Sequence, residues 1–401
     1  MVATVTPYTD ARYRASAGLG YDGVVRISNG TGYGTGALLF DGRAVLTAAH
    51  LVAAGTGTLS VAFQTQSGSE TLSVAKSAVH PGYITAGSTN DDLAIVWLTK
   101  APSLSANRYD IYRDTNEIGQ TFTLVGYGQL GDGATGATTN NTNSLRLKAQ
   151  NTFDADAGTL KASLGNSMGW TPLFGTQLVA DFDNGSANQD ALGRLLNLQN
   201  LGLGLDEGVI AHGDSGGPAF IAGKVAGVGS YTASLSYGPT MPDVDTQTNS
   251  SFGEVAAWQR VSSFQQWIDQ TMRANYTNPP AKAADVKKEV VEGNTGTTYA
   301  YFLVQLSGVR TNVNQVLSVD FATRDGTAMA GSDYIAVSGR LNLYPNETQA
   351  VIPVEIVGDT TREPSETFYL DVFNPVGGSF GPDVVKLTAM RTILDDDMPL
   401  V

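Results

Sequence analysis

The 401-residue chain contains no cysteine. Disulfides and thiolate metal sites are therefore excluded, and stability must come from packing. Basic residues are scarce, 24 Lys and Arg against 38 Asp and Glu, for a net charge of −14. The sequence pI is near 4.6. An acidic balance disfavours nucleic acid and anionic membrane as partners and is compatible with calcium. No apolar run approaches the roughly 18 residues of a membrane-crossing helix. The start, "MVATVTPYTDARYR", lacks the basic residues and apolar run of a signal peptide. That fits either a cytosolic protein or one whose signal has been removed. There are only three histidines, His50, His80 and His212, so chemistry that needs an imidazole has few places to occur.

Apolar residues make up 42% of the chain and glycines number 46, while charged residues are only 15%. The length suits two or three domains with sizeable cores. Short runs such as "GVVRIS", "LSVAFQ" and "DLAIVWL" alternate with Gly-rich turns, which predicts an all-β chain. "SSFQQWIDQTMRANY" places Phe264, Trp267, Ile268 and Met272 on one helical face. Two prolines in "TNPPAKAADVKK" mark a linker, so domains are expected at 1–276 and 285–401, joined by 277–284. Strands resume beyond it at "TTYAYFLVQL", "LSVDFAT", "QAVIPVEIV" and "TFYLDVF", the pattern of a β-sandwich.

"HGDSGGP", residues 212–218, raises the question of a serine nucleophile at Ser215. A serine hydroxyl needs a base within hydrogen-bond reach, and the base needs an orienting acid. His212 sits too close in sequence for easy in-line proton abstraction. His80, in "AVHPGY", reads as a turn or surface residue. His50 closes "AVLTAAH", where small neighbours allow another segment to approach. In "NDDLAIVWL" a carboxylate enters a buried run, costly unless paired, and Asp92 is better placed than Asp91.

"TAAH", "NDDLAIVWL" and "GDSGGP", in that order, resemble the trypsin-like, chymotrypsin-fold serine endopeptidases over residues 20–275. "VHPGY", "TLVGYG" and "RVSSFQQWI" fit the same family. The resemblance implies a double β-barrel with the site in the cleft and a C-terminal helix. It implies His50 as base, Asp92 as its orienting acid and Ser215 as nucleophile. It also implies Gly213 and Ser215 N–H groups as the oxyanion hole, with Gly216 and Gly217 turning the chain behind them. Protein or peptide substrates follow, in an extracellular or cell-surface setting. Leu51 stands where the family usually has a cysteine, which points to a bacterial exoprotein. Val209 falls at the base of the specificity pocket, with Ser230 to Thr232 as its wall, so apolar or small side chains are expected there. Glu207 leaves a trypsin-like preference for basic residues open, and the partner of Asp214 is open too. The chain between Asp92 and Ser215 is longer than usual. Its Asp181, Asp183 and Asp190 are read as a solvated acidic loop in preference to a calcium site.

"VEGNTG", "VDFATRDGTAMAGSDY", "GDTTREPSETFYLDVFNP" and "ILDDD" resemble a Calx-beta domain over about 285–397. That implies an immunoglobulin-like β-sandwich with Ca²⁺ at one end. Glu292, Asp333, Asp359, Glu363, Glu366, Asp395, Asp396 and Asp397 match its ligand-bearing positions, and carboxylate oxygens are what calcium takes. A solvated acidic edge is the alternative. A surface adhesion protein with a vestigial protease fold is the competing function, and an esterase using the same triad is a weaker one.

Overall fold

A computed structural model describes residues 2–53, 57–84, 89–308, 310 and 312–397, so the last residues of the expected sandwich, 398–401, lie outside it. The chain forms two compact units, 1–39 with 43–267, and 40–42 with 268–401.

In the first unit, six strands close into a barrel in the order Val24–Ser28, Tyr33–Leu38, Ala44–Thr47, Ala94–Leu98, Gly68–Val79 and Ser60–Thr65. The apolar runs become the buried strands. All five residues of Ala94–Leu98 are buried, and Val25, Leu38, Val45, Phe63 and Val96 fill the barrel. Alternate residues point into the barrel, and in Ala94–Leu98 the residues between them are buried on its outer side as well, which is why that run is continuously apolar.

The second half of the unit has a seven-stranded sheet. Its order is Leu147–Thr152, Thr121–Gly126, Pro218–Ile221, Lys224–Ala233, Val255–Arg260, Gln177–Asp181 and Ala155–Asp156. Its ladder does not close as a six-stranded barrel would. The buried Asn151 side chain donates instead to the carbonyls of Asp181 and Gly208, at 2.8 and 3.1 Å. The strand Ala3–Thr4 pairs with Gly208–Val209, Ala3 opposite Val209, and Val2 and Ala3 are fully buried. Phe122 and Phe153 stack at the centre of this half, and Trp258 meets both rings edge-on. The longer connections form the strands Leu130–Asp132 and Gly136–Thr139 and the helices Ala157–Leu164 and Ala191–Leu196. The expected amphipathic helix spans Val261–Arg273, with Phe264, Ile268 and Met272 buried.

The second unit is a sandwich of two sheets. Five strands run in the order Glu289–Val291, Lys386–Leu394, Glu366–Val376, Leu317–Asp325 and Ser338–Leu343. Gly296–Gln305 pairs with Gln349–Gly358 over ten residues as the other sheet. Phe302, Phe321, Tyr334, Ile352, Ile356 and Phe368 form the core between them.

Candidate active site

Antiparallel pairing sets Thr47 opposite Ala94, so the residues just beyond each end, His50 and Asp92, meet. His50 lies in the short helix Ala49–Ala53, and its neighbours Ala48 and Ala49 are fully buried, the close approach that small residues permit. The His50 backbone N–H donates to Asp92 Oδ1 at 2.8 Å, and Nδ1 lies 2.8 Å from Oδ2. Ser230 Oγ donates to the same Oδ2 at 2.6 Å. A carboxylate 1% exposed is thus satisfied by three donors. With Nδ1–H held by Asp92, Nε2 is the nitrogen left to take a proton.

Asp91 faces elsewhere. Its backbone is left-handed, φ 55°, and its carboxylate lies 3.7 Å from His80 Nδ1. His80 is the turn residue expected, since its Nδ1 accepts from the Gly82 N–H at 3.2 Å. It is not a free surface residue. Its ring packs edge-on against Phe264 and Trp267, about 5 Å between centroids, and burial lowers its pKa.

The Ser215 turn is held against the first barrel. The Thr35 N–H donates to the Ser215 carbonyl at 2.8 Å, and Thr35 Oγ1 donates to the Gly213 carbonyl at 3.0 Å. Gly216 has φ +81°, and a Cβ there would overlap Thr47 Oγ1 and the Thr35 carbonyl. Only glycine allows that approach. Gly217 needs no positive φ, but a Cβ would meet the carbonyls of Asp214 and Val125 at 2.8 and 2.9 Å. Among the described residues, no acceptor takes the N–H of Gly213 or of Ser215, which leaves two donors free beside the hydroxyl. His212 is exposed. Asp214 is buried, accepts from the N–H groups of Gly128 and Ala211 at 2.8 Å each, and has its pKa raised by burial.

A cavity of about 440 Å³ opens beside Ser215, lined by Ile210, Ala211, His212, Ser230, Thr232 and Ser250 among others. Val209, expected at its base, does not line it: Val209 is fully buried in the core, and alternation along the chain puts the next residue, Ile210, on the cavity side. Ile210 and Ala211 supply apolar surface to a lining that is otherwise mostly uncharged and polar, with no carboxylate among the described lining residues. Glu207 does not reach the cavity. It is fully buried and both its oxygens are engaged, one by the Asp183 N–H at 2.7 Å and the other by the Leu203 N–H at 2.5 Å.

Asp181, Asp183 and Asp190 are not a solvated loop: they are only 1–2% exposed. One oxygen from each lies within 4.8 Å of the other two. The strand Gln177–Asp181 carries Asp181 into the interior, and Asp190 caps the helix Ala191–Leu196 by accepting from Gly193 N–H. Burial and then neighbouring carboxylates raise the pKa values of Asp181 and Asp183, with Asp183 pushed up to about 10. Burial also lifts Asp154 to about 6 and Glu207 to about 7. Sequence spacing gives no sign of this, because Asp154 and Glu207 join the cluster from distant segments.

In the second unit the expected acidic residues converge. Oxygens of Glu292, Asp395 and Asp397 lie within 4.8 Å of one another, as do those of Asp333, Glu363 and Glu366. Asp395 accepts from the Glu363 N–H at 3.0 Å, and Asp396 from the Gly293 N–H at 3.0 Å. Glu292 is pushed up to about 7 by burial and then by Asp359, Asp395, Asp397 and Glu363. Glu292 Oε1 and Asp397 Oδ2 are buried without a hydrogen-bond partner. Orphaned oxygens among hard anionic donors fit calcium.

A histidine–aspartate pair at the end of one barrel, and a serine followed by two glycines on a turn from the other half, define a protein of the chymotrypsin-like fold with a sandwich module attached. A Trypsin family model matches residues 13–167, and a Calx-beta domain model matches 284–397. The chain carries a domain of each family. The Trypsin match includes His50 and Asp92 and ends before Ser215. Sodium/calcium exchanger Calx of Drosophila melanogaster is 35% identical over 88 residues, 22% of this chain and 9% of that protein. Sodium/calcium exchanger 2 of Homo sapiens is 40% identical over 97 residues, 21% of this chain and 10% of that protein. The chain thus spans about a tenth of the length of these curated relatives. Among solved structures, neuropsin, a serine protease of mouse brain, is similar at 16% identity with a TM-score of 0.46. That likeness covers 68% of this chain and 98% of the other.

Proposed function

We propose that the protein is a serine endopeptidase, with domains at 1–276 and 285–401 and a linker between them. Ser215 Oγ attacks the scissile carbonyl as His50 Nε2 takes its proton. The C–N bond breaks as that proton passes to the leaving amine, leaving an acyl-enzyme. Water, deprotonated by His50, hydrolyses the acyl-enzyme, while Asp92 holds the imidazole. The Gly213 and Ser215 N–H groups receive the oxyanion. The observation that carries this reading is the paired contact of His50 with Asp92, backed by Ser230. With Ile210 and Ala211 in a lining that holds no carboxylate among the described residues, and Glu207 engaged elsewhere, the residue before the scissile bond is apolar or small rather than basic. A peptide library tests this, together with a phosphonate that labels serine nucleophiles. We expect labelling at Ser215 and cleavage after residues such as Ala, Val or Leu. Cleavage dominated by Arg and Lys overturns the pocket assignment, and no labelling overturns the peptidase reading. An extracellular or cell-surface setting is part of the proposal. The missing cysteines are what suggest a bacterial source, while the curated relatives named above are animal proteins that match little of the chain.

The Calx-beta domain is proposed to bind Ca²⁺ through Glu292, Asp333, Asp359, Glu363, Glu366 and Asp395 to Asp397. Bound calcium lowers the mutual repulsion of these carboxylates. Binding to the folded state alone adds about 2.7 kcal/mol at one hundred times Kd. We expect calcium to raise the unfolding temperature of the second unit in the full chain, and Asp359→Ala with Glu363→Ala to abolish the rise. The pH dependence has a definite sign. Glu292 has a folded pKa of about 7, above its ordinary value of 4.5. Without calcium its contribution to stability is present below about pH 4.5 and is lost as pH rises through 7. Calcium must displace that proton, so its affinity falls as pH drops from about 8 to about 6. Calorimetry with no calcium shift at about pH 8 leaves the sandwich without a metal site.

A further inference from the structure

Five carboxylates of the first unit that the proposed peptide chemistry does not use gather in one place. They come from separate segments. Asp154 follows the strand Leu147–Thr152, Asp181 ends the strand Gln177–Asp181, and Asp183 lies just beyond it. Asp190 starts the helix Ala191–Leu196, and Glu207 precedes the strand Gly208–Val209. Asp181 Oδ1 and Asp183 Oδ1 are buried with no hydrogen-bond partner, in residues 1% and 2% exposed, and Asp154 Oδ2 is likewise orphaned. Among the described residues, no lysine, arginine or histidine forms an ion pair with any of the five. Unpaired charge at such depth is too costly to stand alone.

Other oxygens of the group are oriented by polar donors. Leu192 N–H donates to Asp181 Oδ2 at 2.6 Å, and Gly193 N–H to Asp190 Oδ1 at 2.6 Å. Asn200 Nδ2 donates to Asp154 Oδ1 at 2.9 Å. The chain at Gly202, φ +81°, passes so close that a Cβ would overlap Glu207 Oε2 and lie 2.7 Å from Asp183 Cβ. The segment therefore wraps over the carboxylates and shields them from water.

We infer that Asp181, Asp183 and Asp190, with Asp154 and Glu207 beside them, form a calcium site in the first unit, separate from that of the sandwich. The donors are all hard oxygens, with neither imidazole nor thiolate among them, which selects a group-2 cation. Calcium takes six to eight oxygens in irregular geometry, whereas magnesium keeps its waters and needs an octahedron. The site ties residues 181–207 to the strand pair beneath them. It is a crosslink for a chain without cysteine, and it sits directly before Gly208–Val209 and the cavity wall at Ile210 and Ala211.

Hydrogen exchange of the full chain, read by mass spectrometry with and without calcium, separates this site from the sandwich. At one hundred times Kd, exchange in residues 181–207 is expected to slow by about 100-fold. The slowing should persist in Asp359→Ala/Glu363→Ala, whose lesions lie in the other unit, so that failure of the sandwich site leaves the result unaffected. Asp183→Asn with Asp190→Asn keeps shape and the cap while removing two charges. It should exchange alike with and without calcium and bind one fewer calcium per chain in equilibrium dialysis. Unchanged exchange of 181–207 on adding calcium to the parent chain means that the carboxylates hold protons instead, and it overturns the inference. Equal protection by magnesium overturns the assignment to calcium.

Discussion

Ser215→Ala is expected to lower kcat/KM for peptide hydrolysis by about 10⁴–10⁶-fold, with far-UV circular dichroism unchanged. The fold holds this residue through its carbonyl, which alanine retains and which accepts from the Thr35 N–H. His50→Ala should cost a similar factor, and Asp92→Asn about 10⁴-fold, since an amide can no longer hold the imidazole in the tautomer that frees Nε2. The losses will be far from additive: a triple variant should be little worse than Ser215→Ala, because the three groups act as a unit. Asp91→Asn is the control. Asparagine tolerates the left-handed backbone at that position, and the imidazole beside this carboxylate is His80 rather than His50. Full activity in Ser215→Ala ends the peptidase reading. Loss in Asp91→Asn with none in Asp92→Asn moves the acid by one residue.

Arg146→Met should destabilise the first unit by about 3–5 kcal/mol, because it strands a buried carboxylate. Arg146 and Asp22 form an ion pair at 2.7 Å, with side chains 2% and 1% exposed. The guanidinium also donates to the carbonyls of Ala15 at 2.9 Å, Gln64 at 3.0 Å and Val24 at 3.3 Å. Methionine keeps the stem and leaves those acceptors empty. Arg146 leads into the strand Leu147–Thr152 of the second half, while Val24 and Gln64 belong to the barrel. The pair therefore fixes the register between the half that carries His50 and Asp92 and the half that carries Ser215. Activity should fall before global unfolding in urea. Arg146→Met with Asp22→Leu should recover part of the stability, since removing both charges leaves no stranded ion. A cost below about 1 kcal/mol would place the pair with ordinary surface ion pairs.

Parts of this protein are legible in the chain of residues because they rest on local pattern. Short apolar runs bounded by Gly-rich turns predict the strands, the spacing of Phe264, Ile268 and Met272 predicts the final helix, and each describes how one segment meets a core. The His50, Asp92 and Ser215 motifs in their order resemble the chymotrypsin-fold serine endopeptidases, and "VEGNTG", "GDTTREPSETFYLDVFNP" and "ILDDD" resemble a Calx-beta domain, and the resemblances carry the folds. Asp92 is separable from Asp91 because only Asp92 leads straight into an apolar run.

Where side chains go once distant segments pack is a different matter. Val209 and Ile210 are both apolar, and which of them faces the cavity depends on how this segment packs against the rest of the half; Ile210 lines it and Val209 is buried in the core. Glu207 is free to serve a basic substrate as far as its own segment shows, and it is Asp183 and Leu203 that engage it. Asp181, Asp183 and Asp190 look in sequence like a solvated loop, since acidic residues among Asn, Gly and Ser usually are. They are buried because the 181–207 segment folds back over its own strand, a long-range outcome that leaves no periodic trace. Composition and periodicity report how a residue meets its own segment, and burial reports which other segment arrives on top of it.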